Sequence, residues 1–98
     1  MTISEIQDHV KELCKRNDWN EKDVDQRFKY LMTEIGELSD ELIKLKWKDQ
    51  NKDILKRKIG HEIFDVIWNL CDLANLLEID MEKCGREKME LNNKRVWK

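Results

Sequence analysis

The sequence predicts an all-α fold, a four-helix subunit that assembles into a helical-bundle dimer or tetramer. Three observations predict it. Proline is absent and glycine occurs three times in 98 residues, too few turn formers for a β-sandwich. Charged residues make up 41% of the chain and hydrophobic residues 40%, the balance expected of long amphipathic helices with solvated outer faces. The apolar residues recur at helical spacing. The length allows one core, so residues 1–98 are read as a single domain.

The first helix is expected from Ile3 to Arg16, with Ile3, Ile6, Val10, Leu13 and Cys14 on one face. The polar run Asn17-Asp18-Trp19-Asn20 should break it. A second helix is expected from Glu21 to Trp47. Its apolar positions Val24, Phe28, Leu31, Ile35, Leu38, Leu42 and Leu45 alternate steps of four and three, which is a packing seam. Lys48 to Asn51 reads as a connector. A third helix is expected from Asp53 to Glu78, and a fourth from the N-cap Asp80 to about Arg95. In the third, apolar residues surround the axis from Ile63 to Leu77. Such a helix should be buried on all sides, at the centre of the subunit or in a subunit interface. A chain this short buries only about 60–65% of its unfolded surface, so self-association is expected.

Several classes are disfavoured. No apolar run approaches the ~18–20 residues of a membrane span. Met1 to Lys15 carries Glu5, Asp8 and Glu12 and lacks the apolar stretch of a signal peptide. The net charge of −2 is wrong for a nucleic-acid polymer as partner. Cys14, Cys71 and Cys84 form an odd set with no CxxC pair. They read as reduced thiols of a cytoplasmic protein, without disulfide or zinc.

Four carboxylates carry the chemistry. Glu34 and Glu37 lie three apart on the second helix, and Glu62 and Asp65 three apart on the third. Residues at i and i+3 share a face, so each pair aims two carboxylates at one point. Asn69 continues the stripe of Glu62 and Asp65. Glu62 should stand at the entrance of the apolar segment, with Asp65 and Asn69 inside it. Polar groups there need partners or a ligand. Four carboxylate oxygens favour a hard cation, Mg²⁺ or alternatively Mn²⁺. That combination suits phosphoryl transfer or hydrolysis. The competing reading is a solvated charged face, the usual fate of an isolated ExxE.

The run Glu34-Ile35-Gly36-Glu37-Leu38, then Glu62-Ile63-Phe64-Asp65-Val66, with 24 residues between Glu37 and Glu62, resembles the MazG-like nucleotide pyrophosphohydrolases of the all-α NTP pyrophosphatase superfamily. Their signature is EExxE, a variable gap, then ExxD. The end of the chain, Lys88 through Asn92 and Arg95 to Trp97-Lys98, looks like the KxxxNxxRxWK tail of small members. One departure is Thr33, where the family often has the first glutamate of EExxE. The resemblance implies hydrolysis of a nucleoside triphosphate to a monophosphate and pyrophosphate, in nucleotide-pool clearance. It implies Glu34, Glu37, Glu62 and Asp65 as Mg²⁺ ligands. Glu34 or Glu37 would also activate water.

Lys88, Asn92 and Arg95 share one face of the last helix. They are expected to grip phosphates; a solvated helix end complementing the macrodipole is the alternative. Trp47 and Trp68 are candidates for stacking on a base, with packing the competing role. Asn69 is a candidate for sugar or base. Trp19 reads as a lid or a hydrophobic staple. The basic stretch from Lys44 to Lys58 reads first as a solvated connector. Gly36 suggests close approach of a neighbouring helix. Neither His9 nor His61 completes a Glu-x-x-His pair, which sets aside a di-iron bundle. Two further alternatives are a phosphoribosyl-ATP or single-deoxynucleotide hydrolase on the same fold and a non-catalytic helical interaction module.

Overall fold

The structure, a computed structural model, describes residues 1–19 and 23–95. Four α-helices follow one another: α1 (Ile3–Arg16), α2 (Val24–Ile43), α3 (Lys52–Leu76) and α4 (Met81–Lys94). There is no strand among the described residues. Each helix starts on a side chain that satisfies its first free N–H groups. Thr2 and Glu5 form a capping box on α1, and Asp23 and Gln26 form one on α2. Asn51 and Asp80 accept from the first turns of α3 and α4.

The breaks have local causes. α1 ends at Arg16, with Asn17 as its cap, and Asp18 takes φ 57°, a left-handed conformation that stops a helix. Four expected boundaries shift. α2 begins at Val24 because Asp23 caps it; Asn20 and Glu21 lie outside the described residues. It ends at Ile43, since Lys44–Lys46 tighten into a 3₁₀ turn and Trp47 is extended. α3 starts at Lys52, one residue early. It stops at Leu76 instead of Glu78, because Glu78 takes φ 57°.

α2 and α3 pack as an antiparallel hairpin. Arg27 meets Asp72 near its open end, and Glu34 meets Glu62 and Asp65 further along. Leu31, Leu55 and Ile59 are buried apolar residues of this pair. α1 crosses α3 through a second cluster. There Val10, Cys14 and Cys71 are buried, with Ile3, Ile6, Ile67 and Trp68 against them.

Polar bonds tie the ends of the chain together. Gln7, 7% exposed, donates to Asn75 Oδ1 (3.1 Å) and the Ile79 carbonyl (2.8 Å). It accepts from the Met81 N–H at 2.9 Å. α4 packs chiefly on α1, and none of its residues is buried.

Within the single chain α3 is not covered on all sides: Ile63, Leu70, Leu76 and Leu77 are exposed, because α1 and α2 occupy only part of its circumference, so the expectation that it lies at the centre of the subunit does not hold. No helix approaches Gly36, where an added Cβ would have no neighbour within 4 Å. The radius of gyration is 16.3 Å, against about 13 Å for a compact chain of this length. No helix of the described residues is long and apolar enough to cross a membrane.

Two stability predictions follow from this packing. Gly36→Ala should stabilise by about 0.5–1 kcal/mol, since an exposed helical glycine only loses backbone entropy. Asp72→Ala should destabilise by about 3–5 kcal/mol by stranding a buried guanidinium. Denaturant titration of both variants reads these values.

Candidate metal centre and its cleft

The antiparallel register places the two carboxylate pairs face to face. One oxygen each from Glu34, Glu62 and Asp65 lies within 4.8 Å of the others. Glu37 stands beside them, close enough to act on both Glu34 and Glu62, and Glu41 acts on Glu62. Glu34 and Glu62 are half-buried, whereas Glu37 and Asp65 are exposed. The expected depth order on α3 is therefore reversed. Glu62 sits under the α2 contact, and Asp65 points toward the open edge of the hairpin.

The electrostatics are unfavourable in the metal-free protein. Glu34 is pushed above the ordinary glutamate range, first by desolvation, then by the charges of Glu37, Asp65 and Glu62. Glu62 is raised by desolvation, then by Glu37, Asp65 and Glu41. Oε2 of Glu34, of Glu41 and of Glu62 is buried and accepts no hydrogen bond. Buried carboxylate oxygens without donors need a cation or a proton. The donor set is all oxygen, which fits Mg²⁺ or Mn²⁺.

A cleft of about 340 Å³ opens beside this cluster. Glu34 and Asp65 form its acidic edge. Trp19, Tyr30 and Trp68 are its aromatic lining, and Arg27, Asn69 and Asp72 its polar lining. Asn69 Nδ2 donates to the Asp65 carbonyl at 2.8 Å. Arg27 ion-pairs with Asp72 and donates a second bond to the Trp19 carbonyl. That second bond holds the end of the α1–α2 connection against the cleft. Asp72 also accepts from the Cys14 thiol at 3.4 Å. Burial, with the Asp72 charge next, pushes the Cys14 thiol up, and burial does the same to Cys71. Both are structural thiols, and Cys84 is exposed.

Of the expected site residues, Glu34, Asp65, Trp68 and Asn69 line the cleft. Glu37 and Glu62 join the carboxylate group at its edge. Trp47 does not line it: the 3₁₀ turn carries that residue to the closed end of the hairpin, where Lys52 bonds its carbonyl. Lys88, Asn92 and Arg95 are also absent from the cleft, because α4 turns away at Glu78–Asp80 and packs on α1. The rest of the tail motif, Val96, Trp97 and Lys98, lies outside the described residues.

Arg27, Tyr30 and Asp72 went unnoticed in the sequence. A signal was present, since Asp72 is the only acid between Ile67 and Leu77 and lies seven residues beyond Asp65, on the same helical face. A larger cleft, about 540 Å³, lies between α1 and the α3–α4 turn. Its buried residue Gln7 has both side-chain polar atoms bonded within the protein.

Comparison of the chain with protein-family models, with curated proteins and with solved structures finds no match.

The raised carboxylates set a pH dependence. Between the unfolded glutamate value near 4.3 and the higher folded values, the folded protein binds more protons. Metal-free stability should fall as pH rises through that window. Glu62→Gln should flatten the fall and raise the metal-free midpoint at neutral pH. If the cluster holds a cation, Mg²⁺ or Mn²⁺ should raise the midpoint of the unaltered protein, and Glu62→Gln should abolish that rise. Thermal melts across pH, with and without metal, measure all three.

Proposed function

We propose that the protein is a divalent-metal-dependent nucleoside triphosphate pyrophosphohydrolase, cleaving between the α- and β-phosphates. The observation that carries this is the set of buried, unbonded oxygens of Glu34 and Glu62 converging with Asp65 at the edge of an aromatic-lined cleft. The resemblance of the two spaced motifs to MazG-like enzymes supports the same reading.

Glu34, Glu62 and Asp65 would hold the cation. It would neutralise their charge, draw in the triphosphate and acidify a water. Glu37 stands just outside the three-oxygen set, which suits it to orient that water and accept its proton. Glu34, the other candidate for that role, is engaged in the set itself. Trp19, Tyr30 and Trp68 offer faces on which a base can stack. Asn69 offers an amide to a sugar hydroxyl or base edge. A volume of about 340 Å³ is at the small end of ligand clefts, and suits a single nucleoside with its phosphates directed at the carboxylates.

The test is pyrophosphate release from a panel of ribo- and deoxynucleoside triphosphates. Release should require Mg²⁺ or Mn²⁺ and stop with EDTA. Glu37→Gln should lower kcat by about 10²-fold or more. Release undiminished by EDTA, or by this substitution, would refute the assignment. Activity confined to phosphoribosyl-ATP would identify the sister activity on the same carboxylates.

A further inference from the structure

The groove between α2 and α3 changes character along its length. On α3, Lys58 begins a stripe that continues through Glu62, Asp65 and Asn69 to Asp72, in steps of four and three. All five lie within about 80° of arc on the helix. The register set by Arg27 with Asp72, and by Glu34 with Asp65, continues in step toward the closed end. Glu41 therefore comes opposite Lys58. Lys58 is exposed, as Asp65 is. It stands about 6 Å along the axis beyond Glu62. Its side chain makes no ion pair or hydrogen bond. Lys44 is a second cation at this end, with Nζ 3.0 Å from Glu41 Oε1. Glu41 in turn acts on Glu62, so Lys44 borders the carboxylate group.

The aromatic side chains of the cleft lie at the other end of the groove, where Trp19, Tyr30 and Trp68 line it. A nucleotide with its base there and its α-phosphate at the carboxylates must direct its remaining phosphates toward the closed end. Three carboxylates around one divalent cation leave that centre net negative. A departing pyrophosphate therefore needs positive charge from elsewhere. Lys88, Asn92 and Arg95 do not line the cleft. Arg27, at the open end, is committed to Asp72.

We propose that Lys58, together with Lys44, forms the subsite for the leaving pyrophosphate, so that the substrate lies along the groove with its base toward Trp19 and its γ-phosphate toward Lys58. This rests on the pyrophosphohydrolase reading. The water oxygen bonds to the α-phosphorus and the water proton passes to Glu37. The bond from that phosphorus to the α–β bridging oxygen breaks, and its electron pair leaves on pyrophosphate. Lys58 meets that charge with an ammonium free of any internal partner. Lys44 has three N–H donors and can share them between Glu41 and the same group.

Calorimetric titration with inorganic pyrophosphate in the presence of Mg²⁺ reads the subsite without turnover. The unaltered protein should bind it. Lys58→Gln should weaken binding by about tenfold or more, and Lys58→Arg should restore most of it. Lys56→Gln removes the same charge about 160° away around α3 and should change binding by less than about twofold. In turnover, Lys58→Gln should raise the inhibition constant of pyrophosphate and leave that of the nucleoside monophosphate unchanged. Absence of pyrophosphate binding by the unaltered protein, or equal losses in Lys56→Gln and Lys58→Gln, overturns the subsite. Triphosphate cleavage with pyrophosphate binding unchanged in Lys58→Gln also overturns it, and leaves the proposed activity standing. Pyrophosphate binding that depends on Lys58, with no triphosphate cleaved, supports the subsite and refutes the activity.

Discussion

The buried ion pair between Arg27 and Asp72 is the constraint on which the rest of the site depends. Both side chains are 7% exposed, so neither charge is tolerable without the other. The pair fixes the sliding register of α2 against α3. With Arg27 opposite Asp72, Glu34 falls opposite Asp65, and Glu37 approaches Glu62. A slip of one helical turn, ~5.4 Å, would scatter the carboxylates and strand the guanidinium. The same arginine holds the Trp19 carbonyl. The hairpin's register and one aromatic wall of the cleft therefore share a single anchor.

That register brings together groups that repel. Glu34 and Glu62 lose solvent and gain anionic neighbours, and their buried oxygens find no donor. A sequence selected for stability alone would place an amide or an apolar residue there. A cation bound among these oxygens would relieve that repulsion, and so would favour the folded protein over the unfolded chain. The opposite pole of the hairpin is unsatisfied in another way, through apolar surface left in water.

Most of the helical layout was legible in the sequence. Caps and breaks are short-range chemistry: Thr2, Asn17 and Asp80 act within a few residues of where they stand. The two carboxylate pairs were legible too, because three-residue spacing fixes a shared face. What could not be read was the depth of each residue. Asp65 sits among apolar neighbours in sequence but points to the open edge, and Ile63 and Leu70 lie uncovered on the far side. Those outcomes depend on how much of α3's circumference α1 and α2 occupy. Trp47 and the row from Lys88 to Arg95 lie away from the cleft for a similar reason. The turns at Lys44–Lys46 and Glu78 set directions that no periodicity encodes.

The polar clamp around Gln7 has a consequence for the order in which the chain assembles. α2 and α3 are joined by a short connection, so their contacts close small loops quickly. The bonds from Gln7 to Asn75, Ile79 and Met81, and from Ser4 to Glu82, bridge separations of 68 to 78 residues. Contacts of that span wait for the intervening chain to be organised. The hairpin with its carboxylates is thus expected to form first, with α1 and α4 docking onto it together. On unfolding, the two terminal helices should be the first to leave, as one cooperative piece.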